Sequence, residues 1–164
     1  MRIAIAAAGS LLVLAFGIFG LLVMNDWGLV AASHEPLDRT LDAMQQAEQD
    51  RALVPGGIFI VLAVAAAAGP AFAALKSSEL PAWALAAIYL ALLVLGGPAY
   101  FMFSFANLNS IGDTYADWDS EAVQRLEAPL YSTSLGAMIV LVLLLVVVGV
   151  RKLSRPTPGT RSSR

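Results

Sequence analysis

The sequence predicts an all-α integral membrane protein: a four-transmembrane-helix bundle with both termini in the cytoplasm and short amphipathic helices in two outer loops. Three observations lead there. Four apolar runs recur along the 164 residues, and at ~1.5 Å per residue about 20 helical residues cross the ~30 Å hydrocarbon core of a bilayer. Apolar residues make up 59% of the chain, above the ~45–50% of a soluble domain, so the excess faces lipid. Basic residues, finally, collect on alternate connections. Arg2, Lys76, Arg151, Lys152, Arg155, Arg161 and Arg164, seven of the ten, fall on the N-terminus, the 76–80 connection and the C-terminal tail. The positive-inside bias assigns those segments to the cytoplasm. Eleven of the twelve acids then lie outside.

The first run covers 3–24, behind Arg2. Val30-Ala31-Ala32 before Ser33 has the small residues of a signal cleavage site. A signal core is only ~7–15 residues long, so a retained first helix is expected. Asn25, Asp26 and Trp27 should end it, with the indole at the interface. The outer loop 25–57 holds Pro36 and then Leu37, Leu41 and Met44 at i, i+4 and i+7. That spacing predicts a short amphipathic helix from about 36 to 52, broken by Pro55-Gly56-Gly57.

The second run, 58–75, carries two rows of small residues: Ala63, Ala67, Ala71 and Ala65, Gly69, Ala73. In lipid no hydrophobic force drives helices together, so such rows matter because they permit close packing. Pro70 should kink this helix near Ala66. The third run, 81–105, opens on Pro81 and Trp83 and meets Gly96-Gly97-Pro98, where a break should free backbone carbonyls. Tyr100, Phe101, Phe103 and Phe105 read as an aromatic belt. Ser120 should cap a short helix in the outer loop 106–130, ended by Pro129. The fourth run is 131–150. A basic segment without acids, 151–164, follows as a disordered cytoplasmic tail. Abundant alanine and the preference for Arg over Lys suit a GC-rich bacterial genome and a plasma-membrane location.

Few residues invite chemistry. Cysteine is absent, which excludes disulfides and thiolate metal or redox sites. His34, Asp38 and Asp42, at i, i+4 and i+8, would share a helix face able to hold a divalent metal. Pro36 places His34 before the regular helix, so no metal is expected. Asp117, Asp119 and Glu121 alternate like a calcium loop, but Ala122 and Ala128 stand where its glycine and final carboxylate belong. No acid, base or histidine lies within the four runs, which argues against an ion-coupled transporter or proton pump. No nucleotide- or phosphate-binding motif occurs, and neither a cofactor nor nucleic acid is expected.

Leu41-x-x-Met44-Gln45-x-Ala47, then Pro55, then two helices ending in Phe105-Ala106-Asn107-Leu108-Asn109 resemble the anthrone oxygenase-like four-helix membrane family. The resemblance covers two short segments. The family's proline before the second asparagine is absent, and its Trp- and Asn-containing approach to the fourth helix reads here as Pro129-Leu130-Tyr131. The resemblance implies Asn109 as a site residue and a lipophilic substrate.

The favoured function is non-catalytic: an accessory or interaction subunit packing in the lipid bilayer with other membrane proteins or with itself. The alternative is a small membrane enzyme whose ligand cleft involves Gly96, Gly97, Pro98, Tyr100 and Asn109. A passive carrier or channel comes third, because the runs contain few polar residues.

Overall fold

The computed structural model describes residues 1–77 and 79–154. Helix α1 (Arg2–Leu22) passes through a π-helical turn (Val23–Trp27) into α2 (Gly28–Ser33). A short α3 (Leu37–Gln46) follows, then the long helices α4 (Leu53–Lys76), α5 (Ala82–Thr114) and α6 (Ser120–Leu153). Four stretches are long and apolar enough to cross a membrane: Arg2–Ser33, Leu53–Lys76, Ala82–Thr114 and Ser120–Leu153. The bundle buries only 17% of the most apolar stretch of α4 and 11% of that of α6. So much outward apolar surface suits lipid and would be an aggregation hazard in water.

Helix α1 packs on α4 and α5, while α6 runs along α5 and meets α2 at one end. Small residues let α1 and α4 approach closely. A Cβ on Gly17 would come within 2.5 Å of Ala63 Cβ, so α1 and α4 touch nearly backbone to backbone. Deeper in, Ser10 Oγ donates to Ala67 O at 2.8 Å and Tyr89 OH donates to the same carbonyl at 3.2 Å. Three helices thus share one polar knot in an apolar interior. At the Arg2 end, the guanidinium donates to Ala74 O (3.0 Å) and to Ser77 O, which caps α4 where its dipole is negative.

The opposite end carries a second apolar cluster, in which Leu29, Ala32, Met44, Ile111 and Val123 are buried. Helix α3 closes it. Thr40 and Met44 face inward, and Thr40 Oγ1 bonds to Ser33 Oγ (2.7 Å) and Pro36 O (3.1 Å).

Several element boundaries differ from the sequence expectation. The first helix does not end at Asn25–Trp27, because the polar groups there find partners: Asp26 pairs with Arg51, and Asn25 is buried against Asn107. The loop helix is confined to Leu37–Gln46. Pro55 falls in the first turn of α4, where its missing N–H would have had no helical partner. Helix α5 shows no break at Gly96-Gly97-Pro98 and continues past 105 to Thr114. The two glycines instead admit neighbours from α1 and α6: a Cβ on Gly96 would meet Phe16 at 2.8 Å, and one on Gly97 would meet Ser134 Oγ at 2.9 Å. The expected second-loop helix and the fourth run are one element, α6, which runs through Pro129. Its cap is Asp119 rather than Ser120, with Ala122 N–H donating to Asp119 Oδ1 at 2.8 Å. Of the basic tail, Arg151 and Lys152 complete α6, and Lys152 Nζ sits 5.3 Å from the Trp83 ring. The segment 155–164, expected to be disordered, lies outside the described residues.

Candidate functional site

The polar residues of the bundle concentrate on one face of α5. Tyr100, Ser104 and Asn107 stand at i, i+4 and i+7, and all three are buried. Asn107 is the hub. Its Nδ2 donates to Met24 O (2.9 Å) and Ala52 O (3.2 Å), with a longer contact to Asn25 Oδ1 (3.3 Å). Its Oδ1 accepts from Ala52 N–H at 2.7 Å. The π-helical turn explains why α1 needs this partner. Gly28 N–H bonds to Val23 O, one residue earlier than the α-helical acceptor Met24 O. Asn107 supplies a donor to Met24 O instead. Widened turns of this kind recur at functional sites. A cavity of about 10 Å³ lies beside this one, lined by Met24, Gly28, Tyr100, Ser104 and Asn107 among others. That is close to the space one water needs, and the polar lining suits one.

Tyr100 OH donates to Glu127 Oε1 at 3.0 Å, and both residues are buried. The Tyr100 ring stands edge-on to Tyr131, with centroids 6.1 Å apart, and to Phe59 at 6.3 Å. Glu127 belongs to the inward face of α6 with Val123, Leu130, Ser134 and Ala137. Ser134 Oγ donates to Leu93 O at 2.8 Å, a second polar tie between α6 and α5.

A third constellation joins α2 to α6. Asp119 N–H donates to Ala32 O (2.9 Å), and His34 Nε2 lies 3.1 Å from Asp119 Oδ2. His34 itself adopts a left-handed conformation at the end of α2. The Ala122 N–H holds the Asp119 carboxyl below the usual carboxylate range; desolvation opposes it, and His34 and Arg125 add smaller effects in the lowering direction.

The residues singled out from sequence are distributed as follows. His34 meets Asp119, while Asp38 and Asp42 point to the exposed side of α3. Among the described residues no three His, Cys, Asp or Glu gather as a metal site would require. Gly96 borders an apolar groove of about 340 Å³ between α1, α4 and α5, with Phe16, Phe59, Ala63 and Leu93. Gly97 packs on Ser134, Pro98 and Asn109 are exposed, and Tyr100 is turned to Glu127. The five proposed cleft residues therefore do not line a single cavity. Asn107, Ser104 and Glu127 were missed. The i, i+4, i+7 spacing of Tyr100, Ser104 and Asn107 was a legible signal for the first two.

No known family model matches this chain, and no curated protein or solved structure shows significant similarity to it.

Proposed function

We propose that the chain is a non-catalytic accessory or interaction subunit of a bacterial plasma membrane, inserted with both termini in the cytoplasm. The Lys and Arg distribution supports that orientation. One observation carries the interaction reading. Of the two small-residue rows on α4, Ala67 is buried and Ala63 and Ala71 are half-buried against the bundle, whereas Ala65, Gly69 and Ala73 are exposed. A Cβ on Gly69 would meet nothing within 4 Å. The row accepts a helix bearing small residues of its own, and a second copy of this chain supplies one by construction.

The chain contains no cysteine, so a single Gly69→Cys substitution reports cleanly. Oxidation in native membranes should yield a disulfide-linked pair of chains, with none from Val142→Cys on α6. Equal yields at both positions, or none at Gly69→Cys, would contradict the reading.

A second reading, the small membrane enzyme of the anthrone oxygenase-like resemblance, draws support from the groove beside Gly96. Its volume, about 340 Å³, and its apolar walls suit a lipophilic ligand. Retention of such a ligand by the purified protein, and its loss on Gly96→Leu, would favour this alternative.

A further inference from the structure

Where α6 ends beside the start of α5, the bundle presents basic groups that no acid answers. Arg151 and Lys152 stand in the last turn of α6, and both are exposed. The other described cations at this end are engaged: Arg2 caps α4, and Lys76 Nζ sits 5.6 Å from the Phe72 ring. No ion pair among the described residues involves Arg151 or Lys152. The sequence puts one acid on this side, Glu79, in the connection from α4 to α5. Between α5 and α6 runs a groove of about 320 Å³, lined by Trp83 of α5 and by Leu144, Val147, Val148, Arg151 and Lys152 of α6. Trp83 is the facing wall, and Lys152 reaches across to it, with Nζ 5.3 Å from the ring. The groove is graded. Leu144 and Val148 stand at i and i+4, and the two cations at i+7 and i+8. At ~1.5 Å per residue, roughly 10–12 Å of helix separates Leu144 from the charges.

We infer that this groove binds an anionic phospholipid of the phosphatidylglycerol kind, with its phosphate at Arg151 and Lys152 and an acyl chain along Val148 and Leu144. The order of apolar and basic residues along α6 is the order of chain and headgroup in a leaflet. The planar fork of an arginine and the point charge of a lysine both suit phosphate oxygens. Basic pockets between transmembrane helices at the bilayer surface take anionic headgroups for this reason. Trp83 adds an indole N–H, a donor that belongs at the level of the lipid esters. An ethanolamine lipid carries the same phosphate but brings an ammonium in beside two cations. Free phosphate would leave the hydrocarbon wall of Leu144, Val147 and Val148 unused. The inference rests on α5 and α6. It is independent of the outward row of α4 and of which side of the membrane this end faces.

The test uses the full chain in dodecyl maltoside, with bound lipid counted by native mass spectrometry, and compares phosphatidylglycerol with phosphatidylethanolamine of the same acyl chains. The wild type should retain phosphatidylglycerol preferentially. Replacing both cations, Arg151→Gln with Lys152→Gln, should lower that retention about tenfold. Val147→Trp, at an exposed position lining the groove, should lower it too, by filling the apolar half with both charges intact. This variant decides the matter if the double one does not accumulate. Lys76→Gln removes a charge at the same end but outside the groove, and should leave retention unchanged. Equal retention of the two lipids would overturn the inference. So would a phosphatidylglycerol preference that survives Val147→Trp, the result expected of charge attraction alone and of a site for free phosphate or an acidic protein segment. A preference that falls as far with Lys76→Gln as with the double variant would overturn it as well.

Discussion

Asn107 holds both backbone groups of Ala52: its Oδ1 accepts from Ala52 N–H at 2.7 Å while its Nδ2 donates to Ala52 O at 3.2 Å. The same Nδ2 reaches Met24 O at 2.9 Å, so one amide joins α5, the start of α4 and the π-helical turn of α1. Asn107→Leu should therefore lower thermal stability, at about 1–3 kcal/mol for each buried polar group left without a partner. Asn109→Leu, at an exposed position two residues on, should stay within ~0.5 kcal/mol. Equal melting shifts for the two variants would show that the hub carries no stability.

Gly17 faces Ala63 across a close contact between α1 and α4, and Gly136 on α6 faces open space. Gly17→Val should cost about 1–3 kcal/mol through overpacking. Gly136→Val should leave the melting temperature unchanged. The pair separates packing from any general effect of valine in a transmembrane helix.

Asp119 gives the cap of α6 a pH dependence. Its folded carboxyl is held below the ordinary range, so its contribution is present above the unfolded value and is lost as pH falls through the folded one. Stability should decline in acid as this cap is protonated. Asp119→Asn keeps a capping oxygen but does not titrate, and should flatten that decline. An acid slope identical to the wild type would remove Asp119 from the account.

Reporter fusions address orientation. Fusions after Ser33 and after Ser120 should read as external, and a fusion after Arg164 as cytoplasmic, because the Lys and Arg residues collect on the other connections. An external reading after Arg164 would reverse the assignment.

The four apolar cores were legible in the sequence because lipid demands long uninterrupted apolar runs, and each run, apart from Pro81 at the cap of α5, lies within one of the membrane-length helices. The ends were not, because polar residues there are satisfied by partners far away in sequence. Asn25 and Asp26 look like a helix stop until Asn107 and Arg51 are placed beside them. Pro129 looks like another stop, but the carbonyl it leaves unpaired belongs to Arg125, an exposed residue. Assigning Glu127 to a loop on that account hid the buried Tyr100–Glu127 pair. In the sequence Gly96-Gly97 suggests a break, but the glycines make room for Phe16 and Ser134 and the helix continues through them.

The central claim is that the outward row of α4 is an interface, and the mass of the assembly in native membranes tests it most directly. The wild-type chain should run as a pair or a larger assembly. Gly69→Leu should reduce it to the mass of one chain while leaving the helix content unchanged, since beyond its own stretch of α4 nothing in the chain lies within 4 Å of the added side chain's first carbon. An assembly of the same size in both proteins, or a wild type already at the mass of one chain, would contradict the account.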